Sequence, residues 1–178
     1  MTGWQALRDD DPELAERGEQ LLLDPGVVLV GTVRRDGTPR ISPVEPLLLD
    51  GELWLCMMLN SAKARDLLRD PRVLVHSVVT GRDGAAGEFK VRGTARQVTD
   101  PAAQRHYADE VARRLGWRAE PGWSHLFVVD VAEATFIRYE TATGDQYVAR
   151  WPGRHRYLRR HTSETSVGEP EPTDVALG

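Results

Sequence analysis

Cysteine and lysine are scarce in this chain, and long apolar runs are absent. The single cysteine, Cys56, excludes an internal disulfide framework and a multi-cysteine metal site. No apolar run approaches the roughly 20 residues that a transmembrane helix needs, so we expect no membrane partner. The first residues lack the apolar stretch of a secretory signal, and we therefore expect a cytoplasmic protein. Of the 23 basic residues only Lys63 and Lys90 are lysine, so the placement of each can be examined individually.

Basic residues are also fewer than acidic ones, 23 against 27. The formal net charge is −4 and the isoelectric point is about 5.7. This balance argues against a nucleic acid as the main partner. The length of 178 residues is typical of one main domain with room for appended segments.

Hydrophobic alternation and tight turns predict a protein made mainly of β-strands. The Asp36-Gly37 and Asp50-Gly51 pairs are hairpin-turn signals between runs of β-branched and apolar residues. Ala132 to Ala134 is expected to interrupt the sixth strand, and Gly93 to mark a bulge or a close approach in the fifth. The predicted strands are 27–33, 40–49, 52–58, 72–79, 88–98, 126–139 and 145–150.

Three helices are predicted from their caps, at 12–23, 62–69 and 101–115. Six or seven antiparallel strands with peripheral helices predict an α+β fold built on a small closed or split barrel, since closure removes exposed sheet edges. We divide the chain into an N-terminal helical segment (1–26), a split β-barrel that binds the ligand (27–158) and a disordered acidic tail (159–178).

The segment from Asn60 to Arg65 is the most informative. A capped helix start offers free backbone N–H groups and the positive end of the helix dipole, both of which suit an anion. Ser61 adds a hydroxyl, and Lys63 and Arg65 add positive charge, so these three residues together can hold one phosphate. An ordinary capped helix with a solvated face explains the same residues equally well.

The strand from Arg40 to Val44 is the second candidate. Pro43 cannot donate to a sheet ladder, so this strand leaves backbone groups free at an edge, where a planar heterocycle could use them. A kinked strand without a ligand is the alternative. The remaining chemistry-bearing residues form no recognisable set. The five histidines are scattered without metal-ligand spacing, and Trp54, Trp117 and Trp123 are expected in the core or at subunit contacts.

Taken in their order along the chain, several segments between Val27 and Val98 resemble the pyridoxamine 5′-phosphate oxidase-like superfamily of FMN-binding split barrels. The resemblance covers about 70 residues in register, and each single motif is loose while the ordered set is fairly specific. The segments that carry it are Val27–Val33, the turn at Asp36-Gly37, Arg40–Val44, Asp50-Gly51, Ser61–Arg65, Asp70–Val73 and Val91–Gly93. The helix at 101–115, the strand at 126–139 and the end from Gln146 to Gly153 are also similar.

The resemblance implies a homodimer with FMN at the subunit interface. Arg40, Ile41, Ser42, Pro43 and Val44 would then face the isoalloxazine ring, and Met57 and Met58 would lie where a strand passes the cofactor. Ser61, Lys63 and Arg65 would hold the phosphate. Glu88 from the second subunit, and Trp151 in the C-terminal region, would complete the cofactor site.

Two departures from the family pattern argue against oxidation of vitamin B6. Glu45 stands where those oxidases carry a basic residue for the substrate phosphate, and a carboxylate there would repel it. The segment from Arg154 to Leu158 is similar to their C-terminal substrate signature but misaligned. We therefore predict an FMN-dependent oxidoreductase that acts on a small organic substrate, with unassigned catalytic residues.

Two alternatives stay open. The first is a reductase that uses the deazaflavin F420, whose polyglutamate tail would suit an arginine-rich rim. That rim would be formed by Arg150, Arg154, Arg156, Arg159 and Arg160, although a solvated strand end neutralised by the acidic tail explains the same run. The second alternative is a protein of this fold that binds a flavin or haem without turnover.

Overall fold

The computed structural model describes residues 3–118 and 122–177. Its helices are α1 (Trp4–Asp10), α2 (Pro12–Leu23), α3 (Ala62–Arg69) and α4 (Pro101–Leu115). The first strands are β1 (Val28–Val33), β2 (Pro39–Val44), β3 (Pro46–Leu49), β4 (Glu52–Met58), β5 (Arg72–His76) and β6 (Glu88–Val98). The others are β7 (Ser124–Tyr139), β8 (Gln146–Trp151), β9 (His155–Arg159), β10 (His161–Ser163), β11 (Ser166–Val167) and β12 (Glu171–Pro172). None of the helices in the described ranges is long and apolar enough to cross a membrane.

The long strand β7 organises the main sheet. It pairs with β6 along most of its length, with β4 through its first half and with β8 through its second half. All pairings in the sheet are antiparallel, and β2 and β12 stand at the two ends of its main path. The result is a mainly β protein whose barrel is not closed, which confirms the predicted split barrel.

One predicted strand proves to be two. The segment 40–49 breaks at Glu45, so that β2 pairs with β1 while β3 pairs with β4. The physical reason is the pair of prolines at positions 43 and 46, which lack the N–H that a continuous ladder needs. The predicted fourth strand is also shorter than expected, because β5 ends at His76 rather than at 79.

The predicted interruption of β7 is wrong. The strand continues from Ser124 to Tyr139, and the pairing with β6 shifts by one residue at Gly93, leaving Ala132 unopposed. Gly93 makes the expected close approach. A Cβ atom there would lie 2.1 Å from the Asp130 carbonyl oxygen, so a side chain at this position would collide with the bulged strand.

Helices α1 and α2 cover the main hydrophobic core. Helix α2 was predicted from its cap, whereas α1, whose Trp4 and Leu7 are fully buried, was not predicted. Gly18 brings α2 against Phe89, where a Cβ atom would lie 2.5 Å from the ring. A second, smaller cluster lies under α4, where Tyr107 stacks on Trp54 with ring centroids 5.5 Å apart.

The C-terminal segment contacts the rest of the chain. Strand β12 pairs with β9, and Arg159 donates to the Gly168 carbonyl at 3.0 Å. Leu177 is buried, and its N–H donates to Glu13 at 2.7 Å. No hydrophobic period in the sequence signals these contacts. The disordered tail and the boundaries of the three proposed segments remain predictions.

Candidate functional site

The start of α3 is built as a capped helix terminus. Ser61 has an extended backbone, and its hydroxyl accepts from the Ala64 N–H at 3.4 Å. The Arg65 N–H bonds the Ser61 carbonyl at 3.0 Å as the first helical bond. The N–H groups of Ala62 and Lys63 are therefore the first-turn donors that the cap leaves available.

The side chain of Lys63 joins this helix start to the edge of the sheet. Its Nζ donates to the Pro43 carbonyl at 2.8 Å. Successive residues of an antiparallel strand direct their backbone groups to opposite sides. Since the Pro43 carbonyl points away from β1, the N–H and C=O of Ile41 also lie on the free edge of β2. The expected edge with unpaired backbone groups is therefore present beside Lys63.

A cationic cleft of about 700 Å³ lies on one side of α3. The side chain of Asp66 is buried at its base and accepts three hydrogen bonds: from Arg40 at 2.6 Å, Thr32 at 3.0 Å and Arg69 at 3.3 Å. Two of the cleft's arginines are therefore already paired inside the chain. The lining residues are Arg34, Arg35, Asp36, Arg40, Ala62, Arg65, Asp66 and Arg69.

The charge state of Asp66 follows from these contacts. Burial raises the pKa of this carboxyl, but the hydrogen bonds from Arg40, Thr32 and Arg69 outweigh burial, and the pKa lies below its usual value. Asp66 is consequently ionised at neutral pH and holds Arg40 through the Nε of its guanidinium.

A second cleft, of about 400 Å³ and mostly apolar, lies on the other side of the α3 start. We call it the apolar cleft. Three of its side chains are exposed although they are large and apolar: Met58 (74%), Trp117 (44%) and Trp123 (72%). Trp54 is buried as expected, whereas Trp117 and Trp123 are outside the core, so that for these two the expected subunit contact stays a prediction. The cleft is lined by Pro43, Val44, Glu45, Cys56, Met57, Met58, Lys63, Trp117, Trp123 and Ser124.

The thiol in the apolar cleft is not activated. Burial raises the pKa of Cys56, against hydrogen bonding to Ser124 and Tyr107, and the nearby Glu45 charge raises it further. Burial likewise raises the pKa of the Tyr107 hydroxyl. Both groups are therefore neutral at physiological pH, and neither is a nucleophile.

The other predicted site residues lie elsewhere in the chain. Ile41 lies on the outer face of the sheet, 71% exposed. Glu88 forms a salt bridge with Lys90 of the same strand at 2.6 Å, and its carboxylate lies 3.4 Å from His76 on the neighbouring strand β5. Trp151 is buried, and its indole N–H donates to Asp10 at 2.7 Å, which fixes α1 to the barrel.

Within one protomer, the predicted cofactor residues therefore lie at several separate places. Pro43, Val44, Met57, Met58 and Lys63 meet at the apolar cleft, and Arg40 and Arg65 at the cationic cleft. Met57 is 1% exposed and serves mainly as core. Ser61 caps the helix between the two clefts, and Ser42 lies half-buried on β2. The cofactor roles of all twelve residues remain predictions.

The C-terminal arginine run is largely engaged within the protein. Arg156 forms two hydrogen bonds to the buried Asp11, at 2.8 and 3.0 Å. Arg159 donates to Gln146, and Arg160 donates to Asp145 at 3.1 Å. The neutralising partners are thus mainly Asp11 and Asp145. Within the described part of the acidic tail, Glu171 is the one carboxylate near this run, at 4.0 Å from Arg160.

One feature of the site has no signal in the sequence. The pairing of Asp66 with Arg40 joins residues 26 positions apart, and no local spacing indicates it. For Trp117 and Trp123, the sequence left open whether they lie in the core or at a subunit contact, and their exposure in one protomer excludes only the core.

Comparison with solved structures supports the same fold. General stress protein 26 from Bacillus anthracis is 20% identical over 68% of this chain and 91% of its own, with a TM-score of 0.53. A related protein from Clostridium acetobutylicum, of the pyridoxine phosphate oxidase family, is 18% identical over 75% of this chain and 89% of its own, with a TM-score of 0.54. An F420 reductase is 22% identical over 65% of this chain and 94% of its own, with a TM-score of 0.50.

No curated protein sequence gives a significant match. A sequence profile does: the family described as pyridoxamine 5′-phosphate oxidase matches residues 14–141, from α2 through the end of β7. This range contains both clefts, the capped start of α3 and the bulged β6–β7 pair. At the level of fold and sequence profile, the chain belongs to the pyridoxamine 5′-phosphate oxidase family.

Proposed function

We propose that this protein is an FMN-dependent oxidoreductase that transfers a hydride or electrons to or from a small organic substrate, with the cofactor at a homodimer interface. The observation that carries the proposal is the junction of Lys63 with the free edge of β2, next to the apolar cleft. Family membership and the F420 reductase neighbour support the coarser assignment, a flavin- or deazaflavin-binding oxidoreductase type of protein.

The residues at this junction fit the two ends of FMN. Its phosphate needs cations and N–H donors, which Lys63 and the first turn of α3 offer. Its ring needs a flat apolar surface and backbone hydrogen-bonding groups, which Pro43, Met58 and the edge at Ile41 offer. Both clefts lie within the volume range of about 300–1,000 Å³ typical of small-molecule sites.

FMN would supply the hydride chemistry, and the chain would supply binding, orientation and a shaped pocket. In this division of labour Asp66 is a positioning residue, because it holds Arg40 beside the start of α3. Contacts between the two protomers of the homodimer would fall on the outer face of the sheet, where Ile41 and Leu74 are exposed. Glu88 lies on the same sheet and would approach the cofactor of the other protomer.

Use of F420 is the second candidate, supported by the neighbour of that name and by the exposed Arg150 and Arg154. We rank it below FMN because Arg156, Arg159 and Arg160 already have partners within the chain. A polyglutamate tail would have to compete with the buried Asp11 and with Asp145 for these arginines.

The test is an absorption spectrum of the purified, untagged protein, followed by mass identification of the released chromophore and by titration with FMN and F420. We expect bound FMN, one per protomer, that is reduced by NAD(P)H or by a screened substrate couple. Bound F420 would replace the first candidate by the second. A Soret band, or FMN that no tested donor reduces, would indicate binding without turnover and contradict the oxidoreductase assignment.

A further inference from the structure

Apart from Glu45 and Lys63, the residues that line the apolar cleft are apolar or neutral. Glu45 lies at the break between β2 and β3, with an exposed side chain. Among the described residues it has no salt-bridge partner and accepts no hydrogen bond. Its charge contributes to the raised pKa of Cys56, which lines the same cleft, and of Tyr107.

Two tryptophans give the same cleft a surface that attracts cations. Trp117 and Trp123 both line it and are 44% and 72% exposed. Exposed tryptophan rings bind cations through the negative face of the π-system, and a nearby carboxylate strengthens this preference. Met58 adds a flexible apolar contact to the same lining.

Lys63 is the one basic residue among the described residues that line the cleft, and its ammonium already donates to the Pro43 carbonyl at 2.8 Å. Under the proposed function it would also face the cofactor phosphate, which neutralises it further. The cysteine in the lining is a neutral thiol. Glu45 is then the charge that a ligand in the rest of the cleft meets.

We propose that the part of the apolar cleft around Glu45, Trp117 and Trp123 binds an organic cation: a protonated amine or quaternary ammonium group carried on an apolar body. This inference rests on the proposed function, because it leaves Pro43, Met58 and Lys63 to the cofactor and assigns the rest of the cleft to the substrate. It also excludes phosphorylated substrates, since a phosphate would meet the Glu45 carboxylate without a countercharge.

Isothermal titration calorimetry of the FMN-saturated protein tests the ligand class with three probes that share one apolar body. These are benzyltrimethylammonium, benzyl alcohol and benzylphosphonate. We expect the cation to bind about tenfold or more tightly than the alcohol, and the phosphonate not to bind in the cleft. Tighter binding of the phosphonate than of the cation would overturn the proposal.

Variants locate the site. We expect Glu45→Gln to weaken binding of benzyltrimethylammonium about tenfold, and Trp123→Ala to weaken it about threefold or more. Glu16→Gln, which changes an exposed carboxylate on α2, is the matched control and should leave the affinity unchanged. Unchanged cation affinity in Glu45→Gln would contradict the proposal. A Trp123→Ala variant that no longer forms a dimer in analytical ultracentrifugation but keeps its affinity for benzyltrimethylammonium would also contradict it.

An FMN titration of the same variants separates the two proposals. Glu45→Gln should bind FMN within about twofold of the unaltered protein, because the carboxylate is assigned to the substrate side. If FMN binds nowhere while cation binding still depends on Glu45, the proposed function fails and the ligand class stands. If FMN binds and the cation does not, the ligand class is wrong and the cofactor assignment stands.

Discussion

The two clefts beside α3 differ in whether a lining carboxylate is paired within the chain. In the cationic cleft the buried Asp66 already binds Arg40 and Arg69. In the apolar cleft Glu45 has no ion-pair partner among the described residues, and Trp117 and Trp123 are exposed. Removing one partner of a buried ion pair destabilises the fold, whereas an exposed unpaired carboxylate and exposed aromatic rings are available to a ligand.

The comparison shows why a count of basic residues locates a phosphate site poorly. Five arginines line the cationic cleft, yet two of them are committed to Asp66. One lysine lies at the other cleft, next to the free N–H groups of a helix start. We therefore assign folding stability mainly to the first cleft and ligand binding mainly to the second.

The largest expected effect is on Asp66. Asp66→Ala leaves Arg40 without its partner and Thr32 with an unsatisfied hydroxyl, so we expect a loss of about 3–5 kcal/mol in the free energy of unfolding. Urea denaturation measures it. Glu45→Ala removes the carboxylate of the other cleft and should cost less than about 0.5 kcal/mol. If both variants lost the same free energy of unfolding, the assignment of folding stability mainly to the cationic cleft would be wrong.

Acid should remove part of the same stabilisation. The pKa of Asp66 is lowered in the folded protein relative to its ordinary value of 3.8. Its contribution is therefore fully present above about pH 4 to 5 and is lost as the pH falls through the folded-state pKa. We expect the stability difference between the unaltered protein and Asp66→Asn, from urea unfolding, to shrink as the pH drops below 3.8. A difference that stays constant to pH 2 would show that ionisation of Asp66 is unimportant.

A smaller effect is expected for the cofactor. Lys63→Ala should weaken FMN binding by about 1–3 kcal/mol, as for a lost charge-assisted hydrogen bond, while the melting temperature changes little. Fluorescence titration of FMN measures the affinity. Full affinity in this variant would place the phosphate elsewhere.

The smallest effect is expected for Arg65→Ala, on the same helix as Lys63. Arg65 is exposed at the cationic cleft and forms no ion pair with any described residue. We expect a smaller loss of FMN affinity than in Lys63→Ala, and a change of less than about 0.5 kcal/mol in the free energy of unfolding. A larger loss of FMN affinity for Arg65→Ala than for Lys63→Ala would reverse the comparison and move the phosphate to the cationic cleft.

Local patterns predicted most of the barrel. The hairpin turns, the capped helices at 12–23, 62–69 and 101–115, and the close approach at Gly93 follow from residue types a few positions apart. Helix α1 was missed because its N-cap position, Gly3, provides no side-chain hydrogen bond to mark the start. The contacts of the C-terminal segment have no local signal, because they are made with β9 and with the distant Glu13.

By itself, the sequence determined the class of fold, the capped start of α3 and the free edge of β2, since caps and prolines act on their immediate neighbours. Only the tertiary structure decided which charges remain for a ligand. Asp66 reaches Arg40, Asp11 reaches Arg156 and Lys63 reaches Pro43 across long separations in the chain. Such pairings depend on how strands and helices pack, and packing is set by the whole core rather than by any local spacing.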